Sequence, residues 1–125
     1  MTTDVDIKNH VETTKLDTHE LVRQLNSHLG PTLVATLAGV RDRKLPHKWA
    51  KADGPIPRDE ALTRLIMAHR VWSKLAGAEN DSIARTWFIG ANPRLGEIAP
   101  VMKLREGALD DVWNAAVAFV TGTDD

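Results

Sequence analysis

The stretch PTLVATLAGVRDRKLPHKWAKADG, residues 31–54, decides the reading of this chain. Pro31 stands where a helix-opening proline belongs, because its fixed φ suits the first turn and its missing N–H is not needed there. Leu33, Val34, Leu37 and Ala38 follow at helical spacing as far as Gly39, which breaks the helix. A run of cations comes next, and Asp53-Gly54-Pro55-Ile56-Pro57 then ends the segment. The pattern predicts two short helices around a tight turn. Val34 and Ala38 face inward, Ala35 lets the helices approach, and Val40 and Leu45 close the far side. The second helix of the pair is expected between Asp42 and Ala52. Pro46 inside that range would remove a backbone bond at a cost of about 3 kcal/mol, so a start near Leu45, with Pro46 at the first position, suits the residues better.

Two helices meeting at a steep angle around a short turn make a helix-turn-helix, whose second helix enters the major groove of DNA. Arg41, Arg43, Lys44, His47, Lys48 and Lys51 are the side-chain types that pair with phosphates and guanine edges, and they are the expected DNA-binding residues. The plainer reading of the same residues is a helical hairpin with a solvated basic face. Trp49 is expected to anchor its helix to the core, since an indole carries too much apolar area to leave in water.

Outward from this segment, the first seventeen residues show no sustained period and read as a loose arm. Thr18 is a candidate N-cap for a helix running from about Asp17 to Leu29, with Leu21, Val22, Leu25 and Leu29 at helical spacing. A further helix opens at Pro57, carries Ala61, Leu65, Ala68, Trp72 and Leu75 as one stripe, and closes at Gly77. Asn80 or Asp81 can cap a fifth helix with Ile83, Ala84, Trp87 and Phe88 turned inward. ANPRLGEIAP, residues 91–100, reads as a loop, Pro100 to Leu104 as a single turn, and Leu109 to Val120 as the last helix, with Val112, Ala115, Ala116 and Phe119 inward. The expected class is therefore all-α, with six helices.

The totals narrow the function. There are 125 residues, 42% apolar and 26% charged, which suits one modest core. No cysteine is present, so thiol chemistry and disulfides are excluded. The net charge of −1 hides an asymmetry: from Arg41 to Lys74 nine basic residues face four acidic ones. The five histidines include no pair at ligand spacing, so no metal is expected, and no phosphate-cradling or nucleophile motif suggests an enzyme or a cofactor. The N-terminal residues hold no apolar run, so neither a signal peptide nor a membrane span is expected, and the cytoplasm is the default location.

The second half, IARTWFIGANPRLGEIAPVMKLREGALDDVW (residues 83–113), resembles the toxin-binding module of Xre-type antitoxins from RES–Xre toxin–antitoxin systems. The likeness runs from about Leu62 to Phe119. It is carried by Ala84 and Trp87, then Asn92, Leu95, Gly96, Pro100, Leu104 and Gly107. Gly39, Val40, Trp49, Gly54, Pro57, Arg64 and Leu65 resemble the Xre-like helix-turn-helix half of the same proteins, while Pro46 and Phe88-Ile89 depart from the pattern. The resemblance implies a helix-turn-helix at 18–56 packed on a helical toxin-binding region at 57–122. It also implies an antitoxin that neutralises a NAD-consuming RES-domain toxin and represses its own operator. Asn92 and Arg94 on the proline-rigid loop, with Trp113, Val117 and Val120 on the last helix, are the expected toxin contacts. The competing expectation is a stand-alone regulator that uses the C-terminal region for dimerisation. Either way a homodimer is expected, because one such unit makes few base contacts.

Overall fold

The computed structural model describes residues 18–122, and among these the chain is all-helical. The expected N-terminal arm, residues 1–17, lies outside the described residues. Seven α-helices follow one another: α1 (Thr18–Leu29), α2 (Pro31–Ala38), α3 (Leu45–Trp49), α4 (Asp59–Ala78), α5 (Asp81–Ile89), α6 (Pro100–Glu106) and α7 (Leu109–Thr121). A 3-10 turn at Pro93–Leu95 lies between α5 and α6.

The twenty-residue α4 is the axis of the fold, and α1, α2, α5, α6 and α7 all pack on it. Its buried side is Ala61, Leu65, Ala68, Val71 and Leu75, a stripe at helical spacing. Trp72, expected in that stripe, lies half-buried on the flank, and Val71 takes the core place. The reason is the indole N–H, which donates to Asp81 Oδ1 at 2.8 Å and could not do so from inside an apolar core. Phe88, Leu25, Leu29, Leu37, Leu65, Leu75 and Leu104 are fully buried, each stabilising the fold by about 1.5–3 kcal/mol.

Helices from both halves of the chain share this one apolar cluster. Two arginines reinforce the join. Arg105 on α6 donates to the Thr36 carbonyl of α2 at 2.8 Å, and Arg64 on α4 donates through Nε to the Leu104 carbonyl of α6 at 3.0 Å. Both acceptors sit in the last turn of a helix, where the negative end of the helix dipole favours a cation.

Several boundaries differ from the expectation. The turn at Pro100 is a two-turn helix, because Gly107 at φ 88 closes it in the left-handed conformation with its N–H bonded back to Leu104 and Lys103. Gly77 does not end α4, which continues to Ala78. That helix begins at Asp59, two residues after Pro57. Thr18, the candidate N-cap, is itself the first residue of the helix and is buried. On α7, Val112, Ala115 and Ala116 are buried as expected, but Phe119 is half-buried and Ala118 takes the inner place.

Candidate nucleic-acid interface

A five-residue helix has too few internal hydrogen bonds to hold itself, so α3 depends on its surroundings. Gly39, at φ 85, ends α2, with the Val40 N–H returning to the Ala35 carbonyl. The chain then runs through Arg41 to Lys44, where Asp42 Oδ1 accepts from the Lys44 N–H at 2.9 Å and the Asp42 carbonyl from the Leu45 N–H at 3.1 Å. That turn delivers the chain into α3 with Pro46 in its first turn, the later of the two expected starts. The expected helix from Asp42 to Ala52 is therefore shortened at both ends.

Three polar side chains of α1 pin α3 from the side. Asn26 Nδ2 donates to the Pro46 carbonyl at 3.0 Å, His19 Nδ1 to the Trp49 carbonyl at 2.7 Å, and Arg23 Nη2 to the Ala50 carbonyl at 2.7 Å. Arg23 also pairs with Glu20. Pro46 and Trp49 are buried beneath, Trp49 at 4% exposure, as the anchoring reading requires. After α3 the chain folds back so closely that a Cβ on Gly54 would stand 2.0 Å from the Lys48 carbonyl oxygen. Glycine is required there by contact. His19, Arg23 and Asn26 were not legible as functional residues, because nothing in sequence marks which polar positions of α1 face a segment twenty to thirty residues away.

All six expected DNA-binding residues are exposed. Their placement is wider than one helix face. Arg41 and Arg43 stand in the turn, Lys44 at the N-cap, His47 and Lys48 on α3, and Lys51 in the bend that follows. None of the six forms an ion pair among the described residues. The stretch 41–51 holds five Lys/Arg and one acidic residue, Asp42, whose Oδ1 is occupied by the turn. The outcome is a basic ridge on a framework fixed from behind.

The expected partner surface is less uniform. Asn92 is buried at 4% exposure; its Oδ1 accepts from the Arg94 N–H at 3.0 Å, and its carbonyl accepts from Leu95 and Glu97. Its side chain closes the turn and is not presented outward. Arg94 is exposed on the 3-10 turn, which packs on α7. Trp113 is half-buried with the Arg70 guanidinium 4.4 Å and the Lys74 ammonium 5.6 Å from its ring, so α4 already covers part of it. Val117 and Val120 are half-buried, and Val120 packs against the core. Beside them Phe119, Ile83, Thr86, Ser82 and Trp87 line a shallow depression of about 240 Å³.

One cluster was missed altogether. His28 of α1 stacks on Trp72 of α4 at 4.0 Å, and both donate to Asp81, the first residue of α5, through His28 Nδ1 at 3.0 Å and the indole N–H. These hydrogen bonds, His28 first, hold the Asp81 carboxyl below the usual carboxylate range. Beside them His69 donates through Nε2 to Gln24 at 2.8 Å, and burial, then the neighbouring His28, pushes its imidazole below the ordinary value. No group of three or more metal-ligating side chains occurs among the described residues. No helix among them is long and apolar enough to cross a membrane.

Comparison with protein-family models, curated proteins and solved structures found no significant match.

Proposed function

We propose that the chain is an antitoxin and autorepressor that binds operator DNA through the ridge from Arg41 to Lys51 and a RES-domain toxin through its C-terminal helices. The observation that carries the DNA half is the pinned α3. Six exposed cationic or imidazole side chains stand on a turn and a helix held from behind by His19, Arg23, Asn26 and Trp49. A merely solvated face has no need of such fixing, whereas readout of base edges requires side chains set in a definite register. The toxin half rests on the resemblance alone.

Phosphate contacts make affinity fall steeply with salt. Replacing Arg43 and Lys44 together by alanine removes two contacts and is expected to weaken operator binding and to reduce the slope of log K against log salt by about 2. Fluorescence anisotropy over a salt series measures both quantities. Unchanged binding at every salt concentration would remove the ridge from the interface.

The cover of Arg70 and Lys74 over Trp113 favours a second reading, a stand-alone helix-turn-helix regulator whose α7 stripe is a dimer seam. Co-expression with the cognate toxin at matched levels separates the two. Trp113→Ala and Arg94→Glu, each shown by circular dichroism to keep native helicity, restore growth arrest if this surface holds the toxin. Full neutralisation by both variants, with light scattering shifted from dimer to monomer, leaves the seam.

A further inference from the structure

Between the end of α2, α3 and the first turns of α4 the structure holds an open cavity of about 460 Å³. Its walls are Val40, Leu45, Trp49 and Ala61, with Ile56 at the edge, and three charged residues border it: Arg58, Glu60 and Arg64. The volume is within the range of small-molecule sites, as is the make-up of apolar walls with a few polar groups.

Two observations point to an occupant of definite chemistry. Ile56 is 54% exposed, more than any other large apolar residue described, and a ligand seated in the cavity would cover it. Arg64 spends only Nε on protein, at the Leu104 carbonyl; Nη1 and Nη2 meet no acceptor among the described residues. A Cβ at Gly39 would stand 3.6 Å from Nη1, and one at Gly107 3.6 Å from Nη2, so the guanidinium head lies beside two glycines, neither of which brings a side chain against it. Glu60, one turn before Arg64, forms no ion pair with it, and Arg58 also has no ionic partner among the described residues. The border thus carries two unpaired guanidiniums against one carboxylate.

We propose that this cavity binds a small apolar carboxylate, with its hydrocarbon part against Leu45, Trp49 and Ile56 and its carboxylate on Arg58 and Arg64. A guanidinium fork matches a carboxylate bidentately, which a hydroxyl or an amine cannot exploit. The site is independent of the DNA reading, and its test contains no DNA.

Octanoate, octylamine and acetate, as probes, are titrated separately into the full-length protein while backbone and indole N–H signals are followed by NMR. Octanoate is expected to shift the signals of Val40, Leu45, Trp49 and Ala61 saturably, at concentrations at least tenfold below those needed for either control. The Arg58 side chain is exposed and makes no hydrogen bond among the described residues, its carbonyl alone capping α4 by accepting from the Leu62 N–H, so Arg58→Glu leaves melting unchanged and is expected to weaken octanoate binding roughly tenfold. Ala61→Leu fills the cavity from its wall and is expected to abolish the shifts while the remaining spectrum stays native. The proposal is overturned by any of four results: no saturable shift at millimolar octanoate, octylamine bound as tightly, shifts centred on Ile83 and Phe119, or Arg58→Glu binding like the parent.

Discussion

His69 shows what a single residue contributes once its neighbours are known. Burial and the nearby His28 favour its neutral form in the fold, so its pKa is lowered from the ordinary 6.5. As pH falls, the unfolded chain takes up this proton before the folded one does. The contribution to stability is therefore complete above about pH 6.5 and is lost as pH falls below it. Urea midpoints are expected to drop between pH 7.5 and 5.5, and to drop less in His69→Gln, which keeps a polar group near Gln24 without titrating. Asp81, whose carboxyl is held low by His28 and Trp72, adds a further loss only in more acid solution. Equal slopes for parent and variant would place the titration elsewhere. None of this was legible in sequence, because His28, His69, Trp72 and Asp81 lie on three different helices.

Among the elements, α3 is the instructive one. Sequence periodicity cannot define a helix of five residues, and the cations around it suggested a longer one. The Asp42 turn and the proline at its start cut it short on one side, and the return of the chain at Gly54 cut it short on the other. What remains is held by tertiary hydrogen bonds, so weakening one should loosen α3 before anything else. Asn26→Ala removes the bond to the Pro46 carbonyl and is expected to cost about 1 kcal/mol. Amide hydrogen exchange should accelerate at Lys48 and Ala50 and stay unchanged along α4. Acceleration spread evenly over the molecule would mean that α3 has no local opening of its own. By contrast the ends of α2 and α5 were legible almost to the residue, since Pro31 and Gly39 bound the first, and Asn80 caps the second by accepting from the Ile83 N–H at 2.9 Å, although Ile83 itself, expected inward, is exposed.

At the scale of the molecule, the split into a helix-turn-helix region at 18–56 and a C-terminal region at 57–122, expected from the resemblance, is not a division of the core. Val34 and Leu37 of α2 belong to the same buried cluster as Leu104 of α6 and Val112 of α7. A fragment ending at Ile56 would expose that face and lose the Arg105 bond to Thr36. It is expected to be largely unfolded by circular dichroism, while residues 18–122 unfold in one transition followed alike by fluorescence and ellipticity. A folded fragment would show that α1 to α3 stand alone. By itself the sequence determined the helical class, most helix ends and the basic ridge, because periodicity, breakers and charge are local properties of the chain. The tertiary structure alone decided that Asn92 is consumed in its turn, that α4 lays two cations over Trp113, and that Arg64 borders a cavity between α3 and α4. Those outcomes depend on contacts between distant segments, and a linear sequence carries no record of which exposed face another helix will cover.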